Sequence, residues 1–65
     1  MELSEEDVSV IFHGDGWTLI IQWSATVGND DEFAIIGATS WFVETYGWNP
    51  ADYATGIVIK KFDGD

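Results

Sequence analysis

Cysteine is absent, so no disulfide can reinforce the fold and no cysteine-based metal cluster can form. Histidine occurs once, at His13, which leaves no His-rich metal site either. Basic residues are almost missing: Lys60 and Lys61 stand against twelve Asp and Glu, for a formal charge of −10. A surface this negative repels phosphate at long range, which argues against direct contact with nucleic acid or an anionic membrane and favours basic protein surfaces. Long apolar runs are missing as well. The longest are interrupted by His13, Gln22 or Ser24 and fall far short of the ~20 residues that a membrane span requires. The opening Met1-Glu2-Leu3-Ser4-Glu5-Glu6-Asp7 is acidic where a targeting peptide would be basic, so a cytoplasmic protein is the expectation.

What remains is aromatic mass. A chain of 65 residues has room for one domain, residues 1–65, with the acidic ends 1–6 and 63–65 expected to be loose. Folding at this size hides only about 60% of the surface exposed in the unfolded chain. Four Trp, four Phe and two Tyr compensate, each ring able to bury roughly 150–250 Å². With 46% hydrophobic residues the composition is that of a globular domain, not a disordered one.

Val8 to Ser24 alternates with period two and reads as a β-hairpin closed at Asp15-Gly16 in a type I′ turn. That even loop pairs Phe12 with Leu19, Val10 with Ile21 and Val8 with Trp23 on one face. The other face pairs His13 with Thr18, Ile11 with Ile20 and Ser9 with Gln22. Asn29 with Glu32 three residues on reads as a capped helix start, and the carboxylates of Asp30, Asp31 and Glu32 suit the positive end of a helix dipole. The helix is expected to stop at Tyr46, with Gly47 as its left-handed C′ residue. Its inward stripe would be Ala34, Ile35, Ala38, Trp41, Phe42 and Thr45, with Gly37 allowing close approach to the sheet. A competing assignment makes Glu32 to Ala38 a third strand, with the helix starting near Thr39. Asn49-Pro50-Ala51-Asp52 signals a turn with Pro50 preset for a short helical turn, and Thr55 to Phe62 reads as the last strand with Ile57 and Ile59 inward.

The order β-β-α-β makes a small two-layer α+β fold, a split β-α-β unit with the first strand central and the helix on one face. Threaded this way, the start of the first strand, the start of the helix and the C-terminal tail share one pole. Glu2, Glu5, Glu6, Asp7, Asp30, Asp31, Glu32, Asp63 and Asp65 collect there, nine of the twelve carboxylates, leaving Asp15, Glu44 and Asp52 toward the other end. Such a pole can imitate a run of phosphates and occupy a groove built for nucleic acid. In size and charge the chain resembles the small phage-encoded inhibitors of host nucleic-acid enzymes: DNA-mimic anti-restriction proteins, uracil-DNA glycosylase inhibitors and anti-CRISPR proteins. That resemblance implies a non-enzymatic inhibitor of a nucleic-acid-binding host protein, acting in the host cytoplasm. On this reading Glu5, Glu6, Asp7, Asp30, Asp31, Glu32, Asp63 and Asp65 are the partner-binding candidates. Termini and loop tips carry charge in any soluble protein, and high-salt adaptation would also favour acidic residues over lysine.

Apolar residues left outside the core suggest a second class of function. Phe33, Ile36 and Val43 point away from the inward stripe, and Ile11 and Ile20, joined by Val58, form a strip on the open sheet face. Trp48, just past the helix end, has two roles open to it, a partly exposed anchor or a cover packed over the helix end, while Trp17, Trp23 and Trp41 are expected in or near the core. These surfaces fit a structural or oligomeric module, including a homodimer. For chemistry the residues offer little. Asp30-Asp31-Glu32 lacks the alternating pattern of a calcium loop, His13 beside Asp15 has no nucleophile, and Gly14-Asp15-Gly16 is too short and acidic to cradle phosphate. No catalytic, metal or cofactor site is expected.

Overall fold

The computed structural model of the chain describes residues 5–26 and 31–61, apart from the side chains of residues 5, 6, 25 and 26. The elements are β1 (Glu5–Gly14), β2 (Trp17–Thr26), α1 (Asp31–Tyr46), a 3₁₀ turn (Pro50–Asp52) and β3 (Gly56–Lys61). They form an α+β fold: a three-stranded antiparallel sheet in the order β2-β1-β3 with one helix. Glu32 to Ala38 is helical, so the competing strand assignment is overruled.

Period-two patterning sets the hairpin register. Val8 lies opposite Trp23, Val10 opposite Ile21 and Phe12 opposite Leu19, as the alternation requires, and pairing continues outward to Glu5 and Thr26. The turn itself differs from expectation. Gly16 has φ +81°, whereas no described non-glycine residue has positive φ, so Asp15 cannot fill the first position of a type I′ turn. A negative φ followed by a positive one is the signature of a type II turn, which asks for glycine at its second position alone. Asn29, the expected N-cap, and Asp30 lie outside the described residues.

At its other end α1 stops where Gly47 takes φ +83° and donates its N–H to the Val43 carbonyl at 2.8 Å, a single-bond left-handed cap. Asn49 then caps the 3₁₀ turn: its Oδ1 accepts from the Ala51 N–H at 2.9 Å, with Pro50 in the first helical position. The chain reaches β3 through Thr55, whose N–H and hydroxyl both donate to the His13 carbonyl. That clasp ties the start of β3 to the hairpin end of β1. β3 begins at Gly56, one residue later than the sequence suggests, and Phe62, the expected last residue, lies outside the described residues.

The helix lies over β2 and β1. Its contact line is narrow: Ala34, Ala38 and Phe42, spaced by four, are buried against Val8, Val10, Phe12 and Ile21. Gly37 sits so close to Trp23 that a Cβ there would meet the indole at 3.1 Å, which bears out the expected close approach. Ile35 is half-buried on the flank, but Trp41 is 42% exposed and Thr45 is exposed, contrary to their expected inward place. The helix is centred near the β2 edge, and among the described residues no further strand extends beyond that edge to cover them. On the opposite flank the same offset leaves β3 thinly covered. Ile59 packs against the core, whereas Ile57, expected inward, remains 36% exposed.

Candidate functional site

Two regions of the surface stand out, one at each end of the helix. At the first, Lys61 of β3 approaches Asp31 of α1, Nζ to Oδ1 at 3.5 Å. Because Lys61 also lies opposite Val8, this contact joins the helix start to the end of β3 and the beginning of β1. The convergence expected from the topology therefore holds for the described members: Asp7, Asp31 and Glu32 are all exposed at this end, and the backbones of Glu5 and Glu6 pair with Thr26 and Ala25. Asp30, Asp63 and Asp65 lie outside the described residues, as do the side chains of Glu5 and Glu6. A recess of about 560 Å³ at this end is lined by Asp7, Gln22, Trp23 and Ser24.

Toward the second end runs a connected series of aromatic rings that begins at Trp23, beside the recess. Trp23 meets Trp41 at 6.2 Å between centroids, and Trp41 meets Tyr46 edge-on at 6.0 Å. Tyr46 lies 4.5 Å from Phe42, Phe42 meets Trp48 edge-on at 5.0 Å, and Trp48 continues to Tyr53 at 6.1 Å. Phe42 is the buried pivot, while Trp41, Tyr46, Trp48 and Tyr53 are exposed. Trp48 thus combines both roles open to it, covering the helix end on Phe42 and presenting the rest of its indole to solvent. The exposed places of Trp41, Tyr46 and Tyr53 were not evident from the sequence. The available signal was the Ala34-Ala38-Phe42 line, which is sufficient to seat a helix and leaves position 41 on its flank.

The apolar candidates divide between two surfaces. Phe33, Ile36 and Val43 are exposed as expected, and Ile36 and Val43 line a groove of about 480 Å³ with Ile35, Thr39, Asn49 and Ala51. Across the open sheet face, Val58, Ile11 and Ile20 lie in one row, with Ile11 half-buried between exposed neighbours. Ser9, in the next row, is buried between Gln22 and Lys60. His13 is exposed near the hairpin tip, and no group of three or more His, Cys, Asp or Glu among the described residues is arranged to hold a metal ion. No described helix is long and apolar enough to cross a membrane.

Compared with known proteins, the chain matches no family model, no curated protein and no solved structure.

Proposed function

We propose that this protein is a non-enzymatic, protein-binding inhibitor whose acidic pole occupies a basic groove on a nucleic-acid-binding protein, in the manner of a DNA mimic and in the cytoplasm of a host cell. The supporting observation is the contact of Asp31 with Lys61, which draws the helix start to the strand ends and gathers the surrounding carboxylates at one end of the molecule. A groove evolved to neutralise phosphates gains affinity from counterion release, and a dense carboxylate surface exploits the same field. The aromatic series at the other end suits a second contact, because exposed Trp and Tyr side chains are the residues that anchor protein interfaces.

The test is affinity capture from the host cell, followed by titration of the captured protein with duplex DNA and with salt. Capture of a nucleic-acid-binding protein that duplex DNA displaces is expected. Reversing Asp31 and Glu32 to lysine should weaken that binding on the order of tenfold or more, and added salt should weaken it further. Binding indifferent to charge reversal, to salt and to competing DNA would remove the electrostatic mechanism.

A further inference from the structure

We propose that the free edge of β2 is a self-association surface, on which a second copy of the chain pairs its own β2 antiparallel about a two-fold axis near Ile21. The two three-stranded sheets then become one continuous sheet. β3, the other edge, has six residues and ends in Lys60-Lys61, the kind of charge by which edge strands discourage pairing. β2 has ten residues with no charged side chain and no proline. Among the described residues, one edge is guarded and the other is open.

The backbone of β2 is arranged for this pairing. Gly14 and Trp17 close a two-residue loop and form a hydrogen-bonded pair, so the odd residues Trp17 to Trp23 exchange bonds with β1. Thr18, Ile20, Gln22 and Ser24 consequently aim their N–H and C=O groups away from the sheet. Beside that edge lies a groove of about 280 Å³, bounded by Leu19 to Gln22 of the strand and by Trp41, Phe42 and Tyr46 of the helix.

Charge selects the occupant and its direction. β2 offers no carboxylate to hold a basic segment, so the strand that suits it is neutral, and the chain itself supplies one. Antiparallel pairing places the acidic pole of one copy beside the hairpin tip of the other. The ten residues of β2 span about 30 Å, several times the Debye length of about 8 Å at physiological salt, so the two poles are screened from each other. Parallel pairing would lay the poles side by side. In the antiparallel arrangement Ile20 of one copy faces Gln22 of the other and lies diagonally from its Ile20, extending the row of Val58, Ile11 and Ile20 across the junction. A 65-residue domain without disulfides thereby gains the larger core it cannot build alone.

This inference does not rest on the basic-groove reading, and salt separates the two. Association between two chains of charge −10 strengthens as salt screens their repulsion, whereas capture of a basic partner weakens. The experiment is sedimentation equilibrium of the full chain over a range of concentration and salt, with amide hydrogen exchange read residue by residue. Expected are a dimer favoured by added salt and concentration-dependent protection of the Thr18, Ile20, Gln22 and Ser24 amides. Gln22→Lys should raise the dimer dissociation constant roughly tenfold or more by opposing lysine to the Ile20 row across the junction. Gln22→Pro should also prevent pairing while sparing the β1 ladder, because the N–H it removes points outward. Val58→Lys, on the same face but at the other edge, should leave the dimer intact. A monomer at every concentration, those four amides exchanging freely beside protected odd neighbours, or Val58→Lys as disruptive as Gln22→Lys would each overturn the edge interface.

Discussion

The two ends of α1 are held by different physics. At its start, an ion pair joins Asp31 to Lys61 of β3, their side chains 56% and 48% exposed. At its finish, Phe42 is buried under Tyr46 and Trp48, Gly47 caps the last turn, and Asn49 starts the 3₁₀ turn that leads back toward the sheet. Exposed ion pairs typically contribute 0–1 kcal/mol, roughly, whereas burying one aromatic ring contributes several times as much. The aromatic end therefore carries more of the fold, and the acidic end is freer to serve an electrostatic role.

The largest expected effect tests that division at Phe42. Phe42→Ala removes a ring that is only 6% exposed and empties the space beneath Tyr46 and Trp48, at a cost of about 3–5 kcal/mol. A domain of this length has a total stability of that order, so urea titration should find the variant largely unfolded without denaturant. Phe42→Leu keeps most of the volume and should remain folded, with altered tryptophan fluorescence from Trp48. A cost below about 1 kcal/mol for Phe42→Ala would move the centre of stability away from this end.

The unequal anchoring was only partly legible in the sequence. Period-two patterning from Val8 to Trp23, broken by Ile11 and Ile20, specified the hairpin register, since a shift by one residue would have turned Val10 and Phe12 to the open face. Strand order followed from topology, and with it the approach of Asp31 to Lys61. The seating of α1 was less legible. A helix apolar on nearly every side has no polar face to fix its rotation, so Trp41 fitted the inward stripe until the small side chains of Ala34 and Ala38 brought a narrower line onto the sheet. The Asp15-Gly16 turn shows a similar limit. That dipeptide suits type I′, yet Gly16 alone takes positive φ.

A smaller effect is expected one turn beyond the buried ring. Gly47→Ala forces a side chain into φ +83°, where no neighbouring atom lies within 4 Å, so the cost is conformational and not steric. It should be about 1–2 kcal/mol, read as a lower urea midpoint with unchanged slope. An unchanged midpoint would mean that the αL cap, and with it the turn toward Pro50, contributes little to anchoring this end.

The smallest effect belongs to the acidic end, and its sign is a balance. Asp31→Asn loses the contact with Lys61 and part of the favourable interaction with the helix dipole, but it also removes one negative charge from a crowded pole. With both partners well exposed, solvent screening reduces each term, and the net cost should stay under about 1 kcal/mol. Lys61→Gln should cost more than Asp31→Asn, because it deletes one of the chain's two lysines and leaves the repulsion in place. Sodium chloride discriminates further. As the Debye length falls from about 30 Å at 0.01 M to about 10 Å at 0.1 M, like-charge repulsion across the pole is screened and the wild-type urea midpoint should rise. The gain should be larger for Lys61→Gln and smaller for Asp31→Asn. A midpoint that falls with salt would reverse the assignment, making the ion pair an attractive clasp as important to the fold as the rings at the other end.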